Sequence, residues 1–196
     1  MSALNDFTEL HEAIENELKK RVPILSTVAL YDPTDIAPGG SFTIKTPAVL
    51  IELTEVKPGR AVTGGRIPFK CEFALHCILS TKSPELPLAV RNLAAAVAIV
   101  VGYLPEDAQS EFVRTGRQDW GLSERGVECV PVDSINIYPG SFKPKGGNEK
   151  AIGFDSMIVT FEQQIHFGPL VIDSPAFLPD EIEIGGQYEV GGSQWS

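Results

Sequence analysis

The unbroken apolar run from Leu93 to Val101 constrains the fold of this chain more than any other segment. It lies within "SPELPLAVRNLAAAVAIVVGYLP", where Ser83–Glu85 is typical of a helix start and Gly102–Pro105 of a helix end. A helix that crosses a bilayer needs about 20 apolar residues, so this one is too short, and no membrane contact is expected. The run therefore predicts a helix that is covered on more than one side.

This helix has two unlike faces when its residues are placed at about 100° per position. The broader face is apolar and is expected to lie on a sheet; it comprises Leu86, Val90, Leu93, Val97, Val100, Val101 and Leu104. The opposite face is mostly small and comprises Leu88, Arg91, Asn92, Ala95, Ala98, Ile99 and Gly102. Either the first helix of the chain or a neighbouring subunit could cover this small face. We favour the neighbouring subunit, because the first helix has only one narrow apolar stripe.

The other elements follow from caps and periodicity. Asn5 or Asp6 can cap a first helix that ends before Pro23, with one apolar stripe along it. Strands are predicted at "LSTVALYDP", "AVLIELTEV", "IPFKCEFALHCILST" and "FDSMIVTFEQQIHFG", of which the third alternates apolar and polar residues most regularly. The segment "RGVECVPVDSINIYPG" predicts a strand interrupted at Pro131, with a kink at Asp133 and Ser134.

These elements predict a single α+β domain over residues 1–168. We expect an antiparallel or mixed sheet of about four to five strands, with two helices packed on one face and long loops. Residues 169–196 contain several Gly and Pro residues and no helical period, so they are predicted to form an extended acidic arm.

The charge of the chain argues against a tight grip on nucleic acid. The formal net charge is −10, and residues 151–196 contain no Lys or Arg. Because stable binding to a phosphate backbone needs clustered cations, tight DNA or RNA binding is not expected. An acidic surface that faces DNA repels it, which suits a channel for DNA better than a protein that recognises a DNA sequence.

Metal or cofactor chemistry is not predicted by the sequence. Strings typical of phosphate-binding loops, serine hydrolases and zinc proteases do not occur in it. The three cysteines, Cys71, Cys77 and Cys129, form no C-x-x-C pair, which favours free thiols in a reducing cytoplasm. His76 should point away from Cys71 and Cys77, because neighbouring side chains of a strand lie on opposite faces. We expect no metal and no cofactor.

Glu162 and His166 are the strongest candidates for acid–base chemistry, since they share one face of the last predicted strand. No nucleophile or second base accompanies them, so a polar stripe at a surface or an interface is the favoured interpretation. We therefore expect no catalytic residues. A small enzyme or ligand-binding domain that uses these two residues is the alternative from a different functional class.

Three segments together resemble a known family. "TPAVLIEL", "FKCEFALHCILSTKSPELPLAVRNLAAAVAIVV" and "MIVTFEQQIHFG" are similar, in this order, to tail-completion proteins of tailed bacteriophages, particularly those of Mu-like phages. Family members have an Arg-Asn/Glu-Leu-Ala-Ala helix and a closing strand that ends Gln-x-Ile-x-Phe/Leu-Gly. The resemblance covers roughly residues 6–168. Where members commonly have a Trp in the last strand, this chain has Met157 and Phe161.

The resemblance implies a tail terminator, a non-catalytic structural protein of the virion. Such proteins form a hexameric ring on the end of the tail tube, stop its polymerisation and join it to the neck and head connector proteins. The resemblance places the protein in the tail or neck after assembly in the host cytoplasm, with DNA passing through the lumen without specific binding. Another neck or head-to-tail connector protein is the alternative within this class.

A ring of this kind needs contacts on its flanks and at both of its ends. The small face of the second helix is the predicted subunit contact. Two long loops are predicted to meet the tube and the neck through Lys57, Arg60, Arg66, Lys143, Lys145 and Lys150. The C-terminal arm is expected to contact an adjacent protein through Phe177, Tyr188 and Trp195, although a disordered tail is an open alternative for Trp195.

Overall fold

The computed structural model describes residues 3–31, 44–60, 65–80, 85–103, 117–140 and 154–168. Two helices and five strands make up the described fold, with short 3₁₀ turns at Ser123–Arg125 and Val132–Ser134. In chain order the elements are α1 (Thr8–Arg21), β1 (Thr27–Leu30), β2 (Ala48–Pro58), β3 (Ile67–Ser80), α2 (Leu86–Gly102), β4 (Asn136–Pro139) and β5 (Phe154–Phe167). The predicted arm, residues 169–196, lies outside the described residues.

The five strands form one mixed sheet in the order β1-β2-β3-β5-β4. β1 pairs with β2 in parallel, and the other neighbours are antiparallel. The longest pairing joins β3 to β5, from Ile67 opposite Phe167 to Ser80 opposite Phe154. The α+β class, the mixed sheet and the two helices are therefore confirmed.

The main core lies between the helices and one face of the sheet. Alternate residues of β3 and β5 supply most of the sheet side, as their period of two predicts: Cys71, Phe73, Leu75, Cys77, Val159, Phe161 and Ile165. α1 contributes Leu10, Ile14 and Leu18, all fully buried. α2 lies across β3 and β5 and reaches β4, whereas α1 lies beside β1. Within the described ranges, the other face of the sheet carries a small cluster around Ala48, Leu50 and Ile78.

The helix ends differ in detail from the sequence-based expectation. Phe7 rather than Asn5 or Asp6 is the N-cap residue of α1, although the Asp6 carboxylate accepts a hydrogen bond from the Thr8 backbone N–H at 2.8 Å. α2 begins at Leu86, after Glu85 in a left-handed conformation with φ of 51°. The expected helix start at Ser83 and Pro84 lies outside the described residues.

The C-terminal end of α2 is held by side chains from two distant segments. The Arg21 guanidinium donates to the carbonyl oxygens of Val100 and Tyr103, and the Gln118 side-chain amide donates to Val100 O at 3.0 Å. The last carbonyls of a helix have no partner within it, so these donors stabilise the end of α2. α1 and the segment around Gln118 thereby fix the position of α2 on the sheet.

His11 is expected to make the fold sensitive to acid. Its Nε2 is buried and has no hydrogen-bond partner among the described residues, and burial lowers the pKa of the imidazole although Glu15 and Glu12 act in the opposite direction. The unfolded chain therefore binds the proton more readily than the folded chain, and stability should fall as the pH drops below the ordinary value of about 6.5. Urea unfolding of wild type and His11→Gln at several pH values measures this, and the variant should lose part of the dependence. An identical pH dependence in both proteins would contradict it.

Candidate subunit interface

The small face of α2 is largely open in the described structure. Leu88 and Ile99 are 55% and 57% exposed, and Arg91, Asn92 and Ala95 between them are exposed as well. α1 packs with its own stripe on the core and leaves this face uncovered. Aliphatic side chains of this size gain about 1.5–3 kcal/mol each when they are fully buried, so the face is suited to contact with another surface.

Two residues of the predicted set belong to the inner side of α2. Gly102 is buried, and a Cβ atom added to it would lie 3.3 Å from Ile135 Cδ1. Ala98 is partly buried and packs against the main core. These two residues therefore do not lie fully on the open face, since Ile135 covers Gly102 and the main core contacts Ala98. The remaining five residues keep their predicted location.

An apolar groove of about 440 Å³ adjoins the open face of α2. It runs between α2 and the connections at the start of β1 and β2, and it is lined by Ile24, Pro47, Leu79, Ala89, Asn92, Leu93 and Ala96. Asn92 belongs to both the groove and the open face, so the two form one continuous surface. An apolar groove that continues into an exposed helix face is a suitable contact site for another protein.

A second exposed apolar surface lies at the β4 edge, which we define as residues 131–139. Val132, Ile137 and Tyr138 are 39%, 45% and 43% exposed, respectively. β4 is an edge strand of only four residues and ends in a proline, which limits open-ended strand pairing. The predicted break at Pro131 and kink at Asp133 and Ser134 correspond to the 3₁₀ turn that precedes β4.

The predicted contact loops are described only in part. Lys57 lies near the end of β2, where its Nζ is 2.6 Å from Glu55 Oε2 and 3.1 Å from Glu72 Oε1. The Arg60 backbone N–H donates to Gln164 Oε1 at 3.0 Å. Arg66 lies against Gly126, and its Nε is buried. Lys143, Lys145 and Lys150 lie outside the described residues, and so do Phe177, Tyr188 and Trp195 of the predicted arm.

Glu162 and His166 do not form an acid–base pair in this structure. They lie four residues apart on β5, a separation of about 13 Å along a strand. Glu162 is paired with Lys70 at 2.6 Å, whereas His166 Nε2 lies 2.8 Å from Glu128 Oε1. His166 is also buried at 5% exposure, so its ring presents little surface to a substrate. The geometry favours structural roles for both residues.

The cysteines behave as the strand pattern predicts. Cys71 and Cys77 are buried in the main core, where burial raises the pKa of their thiols to about 11 and about 12. His76 points to the other face and its Nε2 lies 2.7 Å from Glu52 Oε2. Across the described ranges, no group of three or more His, Cys, Asp or Glu side chains is arranged to hold a metal ion.

A buried polar network was missed by the sequence analysis. Trp120 Nε1–H donates to Gln163 Oε1 at 2.8 Å, and the Gln163 amide donates to the Glu128 carbonyl at 2.7 Å. Gln118 accepts from the Trp120 backbone N–H at 2.9 Å while donating to α2. The network attaches residues 117–130 to both α2 and β5. The available signal was Gln163, a polar side chain on the apolar face of a strand, which implies a buried partner.

The fold and the open α2 face together define a class: an α+β domain whose helix layer presents an apolar surface that no other described segment covers. Comparison with known proteins assigns no family, because no family model and no curated protein matches this chain. None of the helices in the described ranges is both long and apolar enough to span a membrane.

Proposed function

We propose that this protein is a tail terminator of a tailed bacteriophage. In this proposal its copies close a ring, a hexamer in the family that it resembles, on the end of the tail tube. The ring stops tube growth and joins the tube to neck and head connector proteins. It is a structural component of the virion, assembled in the host cytoplasm, and it performs no catalysis.

The observation that carries this proposal is the open face of α2 with its adjoining groove. A subunit of a closed ring needs a surface that a second copy covers, and two large aliphatic side chains on this helix are more than half exposed. Desolvating them on assembly provides a driving force that a monomer lacks.

Two further features support the same proposal. The order of helix, strand, long strand, helix and closing strand agrees with the segments that carry the family resemblance. The net charge of −10 suits a conduit through which DNA passes without being held. Glu162 and His166, engaged with Lys70 and Glu128, offer less support to an enzyme.

A phage in which this gene is disrupted tests the proposal. We expect tails of uncontrolled length, or tails that do not join heads, when the particles are imaged by electron microscopy. Supplying the wild-type gene in trans should restore normal virions, whereas Ala95→Arg should not. The reason is that a bulky cation at Ala95, on the open face of α2, would keep a second copy from approaching.

The matched control is Asn16→Arg, which adds the same side chain to an exposed position of α1. This variant should restore normal virions. Circular dichroism and thermal unfolding of both purified variants should match wild type, because neither position is in the core. Normal virions from the disrupted phage would refute the proposed function. An Ala95→Arg protein that still restores virions would refute the role of the α2 face.

A further inference from the structure

The open α2 face and the β4 edge each carry a single charged residue. Arg91 is the only charged residue of α2, and Asp133 is the only one within residues 131–139, where it shares a polar cleft with Lys70, Glu128 and Glu162. Both are exposed, and neither has an ionic partner among the residues that the structure describes. The two surfaces therefore match in chemical character and oppose each other in the sign of their charge.

The two surfaces occupy different parts of the domain. α2 lies in the helix layer over β3 and β5, whereas β4 is the strand at one edge of the sheet. A contact that joins them joins unlike patches of two copies and leaves one patch free on each copy. Repetition of such a heterologous contact produces a closed ring when the rotation between copies closes.

We propose that the open α2 face of one copy receives the β4 edge of the next copy, with Arg91 facing Asp133 of that neighbour. This inference rests on the proposed function and deepens it by naming the two flanks of the ring contact. The groove beside Asn92 has room for a large side chain, and Ile137 or Tyr138 of the neighbour is suited to fill it.

Charge distinguishes this arrangement from a symmetric dimer. A two-fold contact of α2 with α2 would bring two copies of Arg91 into one interface with no acidic residue of α2 to pair with them. A two-fold contact between β4 edges would likewise gather two copies of Asp133 with no cation from residues 131–139. The unlike contact instead places an anion beside a cation that has no ionic partner among the described residues. Since each copy carries a net charge of −10, a cation in the contact also reduces the general repulsion between copies.

Charge reversal tests the proposal. Arg91→Glu and Asp133→Arg should each weaken self-association at least about tenfold, since each places like charges in the contact. The double variant with both reversals should recover association, and so should a 1:1 mixture of the two single variants. Sedimentation velocity and light scattering, performed alone and on purified tail tubes, measure ring formation. Glu124→Arg, on an exposed 3₁₀ turn, is the control and should assemble as wild type.

The outcomes separate this inference from the proposed function. If both reversals assemble like wild type while Ala95→Arg does not, the Arg91–Asp133 contact is refuted and the ring stands. Loss of association that neither the double variant nor the mixture restores also refutes the contact. A wild-type protein that forms no ring, alone or on tail tubes, overturns both proposals. If a reversal unfolds the protein, the neutral pair Arg91→Gln and Asp133→Asn replaces it, and each should weaken association without complementing the other.

Discussion

Gly126→Ala is expected to lower the free energy of unfolding by about 3 kcal/mol or more. Gly126 has a φ of 105°, a backbone conformation that costs an L-residue about 1–3 kcal/mol. A Cβ at this position would also lie 2.5 Å from the carbonyl oxygen of His166, which belongs to the backbone of β5 and cannot move as a flexible side chain does. The turn would have to leave the strand, breaking the 2.8 Å hydrogen bond from His166 N to Gly126 O. Urea unfolding measures the loss.

Gly121→Ala is the matched control for this prediction. Gly121 also has a positive φ, 73°, but a Cβ added there would meet no atom within 4 Å. Gly121→Ala should therefore lower the free energy of unfolding only by the cost of the left-handed backbone conformation, about 1–2 kcal/mol. Equal losses for the two variants would show that the contact with β5 is unimportant.

Gln163→Leu is expected to lower the free energy of unfolding by about 2–4 kcal/mol. The leucine nearly preserves the side-chain volume but leaves the Trp120 indole N–H and the Glu128 carbonyl without their partner. A buried polar group left without a hydrogen bond costs about 1–3 kcal/mol. Because Gln163 links residues 117–130 to β5, hydrogen exchange should also accelerate in that segment.

A double-mutant cycle with Trp120→Phe isolates this effect. In the Trp120→Phe background no indole N–H is left without a partner, so Gln163→Leu should lower the free energy of unfolding less than it does in wild type. Equal costs in the two backgrounds would show that the hydrogen bond between the two side chains contributes nothing. Gln164→Leu, on the opposite face of β5, is the control: Gln164 is only partly buried, so water can replace its hydrogen bonds to Arg60 and Glu128, and the loss of stability should be smaller.

The strands of the sheet could be predicted because the alternation of apolar and polar residues that marks them lies within each short segment. In β3 the alternation from Phe69 to Leu79 predicts which side chains face the core. The structure places Cys71, Phe73, Leu75 and Cys77 in that core. The boundaries of β2 and β5 agree with the predicted segments to within a few residues. The open face of α2 could be predicted for the same reason, since a helical period assigns Leu88, Ala95 and Ile99 to one side.

The parts that could not be predicted depend on contacts between distant residues. No local pattern connects Trp120 with Gln163, 43 positions away, yet their side chains form a hydrogen bond. The helical period alone assigns Gly102 to the open face, but Ile135 covers it in the structure. The groove beside α2 combines residues from four separate segments, and no periodicity connects them. The contact between His166 and Glu128, 38 residues earlier in the chain, likewise follows from no local pattern.

By itself, then, the sequence determined the helix and strand periods, the core faces and the excess of negative charge, because each of these follows from the identity of neighbouring residues. The tertiary structure alone decided the strand order, the partners of the buried polar groups and which part of α2 stays open. It also brought into view the matched surfaces that carry Arg91 and Asp133. Those features arise when chain segments far apart in sequence compete to cover the same apolar area, and the outcome depends on their packing in three dimensions.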